Sequence, residues 1–144
     1  MYDFAYHRPD SIADAARLAK GAEAKVMAGG MTLIPTLKQR LAQPSDVIDL
    51  GGLRDLSGIK VEGGRVVIGA LTPHAQVAGS AEVQRAIPAL AHLADGIGDP
   101  QVRNRGTIGG SLANNDPAAD YPAAALGLGA TIQTNERAIA ADEY

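Results

Sequence analysis

The sequence of 144 residues contains no cysteine, no tryptophan, one phenylalanine and four tyrosines. Without cysteine the chain has no ligands for an iron–sulfur cluster or a thiolate zinc site, and it cannot form a disulfide. Few aromatic rings argue against base stacking, and a net charge of −3 without a basic run argues against nucleic acid or anionic membranes. No apolar stretch reaches the roughly 18 residues of a membrane span and the N-terminus does not resemble a signal peptide, so we expect a cytoplasmic protein.

Small aliphatic residues, glycine and proline are what the sequence has in abundance. It is 46% hydrophobic and 20% charged, with 17 Gly and 8 Pro. This composition is globular, but its frequent turn residues predict many short elements. The length fits one domain or two small subdomains that share an interface.

The first part of the chain is predicted to form a parallel strand–helix–strand unit. Apolar period and capping residues indicate a helix over residues 11–20, a strand over 24–28, a helix capped by Thr32 with Leu33, Leu37 and Leu41 on one face, and a strand over 47–50. Strand, helix and strand in this order form a crossover unit. The spacing of apolar residues then changes from that of the strand–helix–strand unit to that of a hairpin. This change predicts two subdomains, residues 1–55 and 56–144.

The second part is predicted to begin with a β-hairpin and to continue mainly as helices. The hairpin pairs residues 59–62 with 65–70 around Gly63-Gly64. One helix is predicted to begin at Thr72-Pro73, and two more are predicted over residues 80–86 and 88–94. From residue 95 the chain is expected to be irregular. A further helix is predicted to start at Asp120 and Pro122, and a strand is predicted over residues 130–134.

Two segments combine a glycine pair with hydroxyl residues: Ala28-Gly29-Gly30-Met31-Thr32 and Thr107-Ile108-Gly109-Gly110-Ser111. Glycine pairs let backbone amides approach an anion, so the four glycine amides are expected to hold phosphate oxygens. The alternative is that each pair is only a tight turn.

Other nucleotide and catalytic motifs are missing. The G-x-G sequences at 96–98 and 127–129 lack a third glycine and do not follow a strand, which disfavours a Rossmann site, and no P-loop occurs. No serine lies in a G-x-S-x-G elbow. A metal site is improbable, because no histidine has a second ligand three or four residues away.

Several isolated polar residues have simpler structural explanations. His7, His74 and His92 are each expected to be surface or capping residues. Asp120 is either a helix cap or a ligand, since Pro117 separates it from Asp116. Arg103 and Arg105 are expected to be solvated and are not placed in the site.

Taken in order, five segments resemble one family over essentially the whole chain: residues 7–9, 28–35, 67–70, 99–103 and 107–113. The family is that of the FAD-binding subunits of molybdenum hydroxylases, and the resemblance is greatest to the medium subunit of carbon monoxide dehydrogenase. It implies an α+β fold, the PCMH-type FAD-binding fold shared with vanillyl-alcohol oxidase and the MurB reductases, built from two α/β subdomains. The C-terminal domain of the family is expected to be missing.

The resemblance also implies a set of cofactor-binding residues and no catalytic or metal-binding residue. The set comprises Val26, Met27, Ala28, Gly29, Gly30, Met31, Thr32 and Leu33 in a first loop, Thr107, Ile108, Gly109, Gly110 and Ser111 in a second, and Ile97, Gly98 and Asp120. Met31 and Ser111 stand where the family often has a polar residue and an asparagine.

The function implied is that of an FAD-dependent electron-transfer subunit. Electrons would come from the [2Fe–2S] clusters of a small subunit, molybdopterin would lie in a large subunit, and FAD would pass the electrons to an acceptor. Alternatives are a stand-alone flavin or anion-binding module, another FAD oxidoreductase of the same fold that acts directly on its substrate, and a purely structural domain.

Overall fold

A computed structural model describes residues 1–144, and a three-stranded parallel sheet forms its first part. The strand order is β1-β3-β2, so the crossover predicted between β2 and β3 is confirmed. The central strand β3 has Val47 and Ile48 on opposite faces, and both are fully buried because helices or turns cover the sheet on both sides. The sheet and its helices are β1 (Ala5–His7), α1 (Ile12–Leu18), β2 (Ala24–Met27), α2 (Leu33–Lys38) and β3 (Asp46–Asp49).

Helix α1 begins where its capping sequence predicts. The Ser11 hydroxyl accepts a hydrogen bond from the Asp14 amide at 3.1 Å, which satisfies one free donor of the first turn. Ala15 on the inner face of α1 packs with Ile48 and Leu53 in a small core. The first part of the fold is therefore held by one sheet and one aliphatic cluster.

The prediction for α2 is wrong at its C-terminal end. The helix ends at Lys38, and Arg40 then adopts a left-handed conformation with φ 57°, so that the chain turns away from the helix axis. Leu41 is consequently 73% exposed and is not part of the apolar face. Leu37, by contrast, is buried as the period predicts.

Two short 3-10 turns, Leu50–Gly52 and Arg54–Leu56, lead to the hairpin of β4 (Ile59–Glu62) and β5 (Arg65–Ile68). Its turn residues Gly63 and Gly64 have φ of 55° and 76°, which two-residue hairpins need and glycine adopts without strain. Strand β5 ends before the predicted Ala70, because residues 69–72 turn back onto other segments and the Ala70 carbonyl accepts from Gly109.

Six helices form the second part, and four of them surround the larger core. This core consists of Val77, Val83, Leu90, Ala91, Ala94 and Tyr121. It lies between helices and the β4–β5 hairpin, from which Ile59, Val66 and Ile68 pack against it. The helices are α3 (His74–Gly79), α4 (Ala81–Ala86), α5 (Pro88–Asp95), α6 (Pro100–Arg105), α7 (Ile108–Asn114) and α8 (Asp120–Gly127).

Four strands and helices were not predicted, and one of them is helix α7 (Ile108–Asn114), which begins inside the segment 107–111 that was expected to be only a glycine-rich loop. Strand β1 is three residues long, too short to show a period, and β7 (Ala138–Ala140) pairs with the predicted β6 (Thr131–Gln133) in a second hairpin. Helix α6 lies where an irregular segment was expected. The Asp99 carboxylate accepts from the Val102 amide at 2.8 Å and Pro100 occupies the first helical position, a common helix start.

The architecture as a whole confirms the α+β class. A parallel sheet, two antiparallel hairpins and eight short helices are packed together, with the helices segregated mainly in the second part. No helix has the length and apolar character needed to cross a lipid bilayer.

Candidate functional site

The first glycine loop carries a row of free backbone donors. It joins β2 to α2, and Gly30 within it is buried with φ of +76°, a conformation that favours glycine. The amides of residues 28–32 donate no hydrogen bond to any carbonyl group of the chain, although the Gly30 carbonyl accepts from Ile34. Five consecutive free N–H groups around a left-handed residue are a donor set of the kind that binds anions.

The second glycine loop uses its amides inside the protein. Ile108 donates to the Thr72 carbonyl at 3.2 Å, Gly109 donates to the Ala70 carbonyl at 2.9 Å, and Gly110 donates to the Thr107 hydroxyl at 3.1 Å. The Gly109 and Gly110 amides, which were expected to bind phosphate, are thus paired within the chain. A donor already paired at these distances is not available to a ligand, and this loop offers side chains instead.

The first loop touches the second loop and the two residues before it, Arg105 and Gly106, although about 80 residues separate the two segments in sequence. A methyl group placed on Gly29 would lie 1.8 Å from the Arg105 carbonyl oxygen and 3.1 Å from the Gly106 Cα. A methyl group placed on Gly110 would lie 3.5 Å from the Ala28 Cβ. Only glycine permits the approach at position 29, so the free amides of the first loop lie beside the N-terminus of α7.

Two hydroxyl groups accompany the amides. Thr32 precedes α2 as predicted, but its side chain makes no capping hydrogen bond, and the Ser111 hydroxyl on the first turns of α7 is also unpaired within the chain. Hydroxyls donate and accept, so both can serve phosphate or flavin oxygens. The Thr107 hydroxyl also accepts a hydrogen bond from the Gly110 amide as the cap of α7, and its own proton stays available for donation.

The remaining residues of the predicted first loop lie around this donor set. Val26 and Met27 end β2, where they pair with Ile48 and Asp49. The Met27 sulfur lies 3.4 Å from a methyl group placed on Gly30, which puts its side chain under the turn. Met31 and Leu33 are half-buried at the start of α2.

Ile97 and Gly98 are held in position by hydrogen bonds from an arginine, and not by a hydrogen bond to either glycine loop. Arg103 donates to the Ile97 carbonyl at 3.3 Å and to the Gly98 carbonyl at 2.9 Å. Arg103 is therefore a structural residue, half-buried, and the expectation of a solvated side chain is wrong for it, whereas Arg105 is exposed as expected. Ile97 packs against the same core as Ile108 of the second loop.

Asp120 is the first residue of α8, and Ala119 is the residue at the capping position. The Asp120 carboxylate is exposed and forms no hydrogen bond or ion pair within the chain, so the capping alternative is wrong. Its neighbour Tyr121 is buried against His74. His74 in turn contacts Gly106, the residue that directly precedes the second loop. Asp120 is thus connected to the second loop through two packed rings.

Two of the three histidines differ from their expected surface or capping positions. His74 is only 5% exposed, and its burial lowers the pKa of the imidazole, so it is neutral at neutral pH. Its Nε2 lies 2.6 Å from a methyl group placed on Gly106. His7 is half-buried and contacts Asp46 at 2.6 Å, and only His92 is a plain exposed residue.

Gly106 and His74 are site residues that sequence reasoning missed. A single glycine directly before Thr107 extends the glycine motif, which is a signal that could have been used for Gly106. No local signal marks His74, because its burial depends on Tyr121 from a distant helix.

Comparison with known proteins finds FAD-binding domains and medium subunits of dehydrogenases and hydroxylases. Residues 2–144 match a family described as the FAD binding domain in molybdopterin dehydrogenase. The carbon monoxide dehydrogenase medium chain of Hydrogenophaga pseudoflava is 46% identical over 127 residues, which are 87% of this chain and 44% of that protein. The nicotine 6-hydroxylase medium subunit of Paenarthrobacter nicotinovorans is 40% identical over 96% of this chain and 50% of its own length.

Solved structures are also similar. A carbon monoxide dehydrogenase structure from Hydrogenophaga pseudoflava aligns with a TM-score of 0.93 and 44% identity, over 98% of this chain and 51% of the matched chain. The reconstituted carbon monoxide dehydrogenase from Oligotropha carboxidovorans gives a TM-score of 0.93 and 46% identity, over 99% and 52%. The chain thus spans about half the length of the relatives it matches.

Proposed function

Because the chain belongs to the family of FAD-binding domains of molybdopterin dehydrogenases, we propose that it binds FAD between its two glycine loops and acts as an electron-transfer subunit. The observation that carries the proposal is the row of free amides at residues 28–32, held against the second loop by the contact between Gly29 and Arg105. A pyrophosphate group needs several hydrogen-bond donors, and the five free amides supply them without a lysine or arginine.

The two loops have different tasks in this proposal. Amides of the first loop hold the pyrophosphate, and the hydroxyls of Thr32 and Ser111 donate to phosphate or flavin oxygens. The second loop is a rigid support, since its own amides are bonded to residues 70–72 and to Thr107. The exposed Asp120 carboxylate accepts hydrogen bonds from hydroxyl groups of the cofactor.

The proposed site includes every residue that the resemblance implies. Residues 26–33 and 107–111 form the two loops, and Ile97, Gly98 and Asp120 complete the set. Gly109 and Gly110 contribute by shaping the second loop, and the Thr107 hydroxyl, which accepts from the Gly110 amide, can still donate its proton to phosphate or flavin oxygens. The division into subdomains 1–55 and 56–144 belongs to the same proposal and is supported by the absence of strand pairing between the parallel sheet and the hairpins.

FAD, when bound, supplies the reversible acceptance of electrons, and the chain orients it and sets its electrostatic surroundings. We further propose that the whole protein works in a complex with a molybdopterin large subunit and a [2Fe–2S] small subunit. The similarity to a medium chain and to a dehydrogenase complex subunit supports this proposal. The cytoplasmic location expected from the sequence stays a prediction.

Binding of FAD and of riboflavin to the 144-residue chain, followed by flavin fluorescence, tests the site. We expect FAD to bind and riboflavin, which lacks the pyrophosphate, to bind at least tenfold more weakly. Inorganic pyrophosphate is expected to displace FAD. Equal affinity for FAD and riboflavin would contradict the role of the free amides.

A variant pair tests the hydroxyl groups. Thr32→Ala combined with Ser111→Ala removes two hydrogen bonds to charged or polar oxygens, each of about 1.5 kcal/mol, so FAD affinity is expected to fall roughly 100-fold. Thr131→Ala is the matched control, because Thr131 lies in the separate β6–β7 hairpin. A double variant that binds FAD like the control would remove these hydroxyls from the site.

The proposed complex is tested separately. The tagged protein is purified from its source cells, and molybdenum and iron are measured per chain. Copurification of both molybdenum and iron with the chain would support the complex, and a flavin-containing chain without either metal would favour the stand-alone flavin module.

A further inference from the structure

Two buried rings lie directly behind the second glycine loop. His74 is 5% exposed and Tyr121 is 1% exposed, and their ring centroids are 5.2 Å apart with a tilt of 41°. The His74 Nδ1 and the Tyr121 hydroxyl are both buried without a hydrogen-bond partner in the protein. Leaving buried polar groups unpaired costs stability, so such a pair calls for a reason beyond packing.

Gly106 lies between His74 and the first loop. On one side, a methyl group on Gly106 would meet the His74 Nε2 at 2.6 Å, and the His74 amide donates to the Gly106 carbonyl at 3.0 Å. On the other side, a methyl group on Gly29 would meet the Gly106 Cα at 3.1 Å. Tyr121, His74, Gly106 and Gly29 therefore form one continuous stack, which we call the loop stack.

We propose that His74 is a positioning residue for the cofactor site: its ring, supported by Tyr121, holds Gly106 against Gly29 and fixes the separation of the two loops. This inference rests on the proposed function, because it concerns the spacing of the same two loops. A small outward movement of Gly106 would carry Arg105 and Thr107 with it. The donor row at residues 28–32 would then lose the support beside it.

The ring has to be neutral to do this. Burial lowers the pKa of His74, and no charged side chain forms a hydrogen bond or ion pair with the ring. The charged or titratable side chains on the elements packed around α3 and α8 are Glu82, Arg85, His92, Asp95, Arg103, Arg105 and Asp120. A proton on the ring would thus be a buried charge without compensation.

The direction of the pH effect follows from linkage. Because the pKa of His74 is lowered from 6.5 in the folded chain, an opened or unfolded form takes up the proton first as pH falls. The closed loop stack is therefore fully stable above pH 6.5 and loses stability progressively below it. Loop separation, and with it cofactor affinity, becomes dependent on pH in that range.

Nuclear magnetic resonance of the unliganded 144-residue chain tests the stack without any cofactor. Between pH 8 and pH 5 the backbone amide signals of Gly106 and Gly29 are expected to move together with one midpoint below 6.5. The movement should persist in His92→Gln and His7→Gln, which remove the other two histidines, and should disappear in His74→Gln. Movement of Gly106 without Gly29, or movement that survives His74→Gln, would overturn the proposal.

FAD titration of the same variants separates this inference from the proposed function. His74→Gln keeps an uncharged group of similar reach, so the decline in FAD affinity that the native chain shows between pH 8 and 5.5 should be absent in this variant. His74→Ala removes the support and should weaken binding at least tenfold. Native affinity in His74→Ala would overturn the positioning role, whereas coupled glycine signals in a chain that binds no FAD would overturn the cofactor assignment alone.

Discussion

The contact between the two glycine loops gives the strongest prediction about this chain, and Gly29→Ala is the perturbation that tests it. A Cβ at this position would lie 1.8 Å from the Arg105 carbonyl oxygen, where carbon and oxygen ordinarily keep about 3.3 Å. The two backbones would have to separate by about 1.5 Å, and neither is a flexible side chain that can rotate away. Overpacking commonly costs 1–3 kcal/mol, so about 3 kcal/mol is expected here.

Thermal unfolding measures the effect. For a chain of this size about 3 kcal/mol corresponds to a fall in Tm of roughly 10 °C. FAD affinity should also fall, since the loops that form the site are pushed apart. Gly127→Ala is the matched control, because the same methyl group at the end of α8 meets nothing within 4 Å and alanine favours a helix.

One result would refute the reasoning. If Gly29→Ala melts within about 2 °C of the native chain while Gly127→Ala is neutral or slightly stabilising, the two loops are not in close contact. The support assigned to the second loop would then be wrong, whichever way the FAD titration turned out.

Two further predictions concern the scaffold around the site. Asp99→Ala removes the carboxylate that caps α6 and should lower the free energy of unfolding by about 1 kcal/mol in urea, with Asp55→Ala in an exposed turn as the control. The hydroxyl of Ser45 and then the contact with His7 lower the pKa of Asp46, so its contribution to stability is present above pH 3.8 and is lost as pH falls below it. In an Asp46→Asn variant the melting temperature should fall less steeply as the pH is lowered below 3.8. An equally steep fall in the variant would contradict the role given to the Asp46 carboxylate.

Much of the fold could be predicted because its signals are local. The turn at Gly63-Gly64 and the cap at Ser11 depend on residues within four positions of each other. The parallel pairing of β2 with β3 follows from element order, since a strand–helix–strand unit has few arrangements. The same logic applies to α6, whose Asp99-Pro100 start was present in the sequence although an irregular segment was predicted.

The glycine motifs fixed the places of the two loops but not their tasks. Both pairs have the same composition, and sequence reasoning treated their amides as equivalent. The structure separates them, because the carbonyls of Ala70 and Thr72 occupy amides of the second loop while nothing in the chain accepts from residues 28–32. The acceptors lie more than 30 residues from the donors, so no local pattern could indicate them.

The sequence by itself determined the class of fold, the family resemblance and the two loops, because these depend on short patterns of glycine, caps and apolar period. Tertiary structure alone decided which amides are free, why Gly29 tolerates no side chain, and that His74 is buried against Tyr121. Each of these is a property of segments distant in the chain and brought within a few ångströms by packing. Because these contacts join segments that are distant in the sequence, local patterns could predict the two glycine segments, and only the folded chain shows how they fit together.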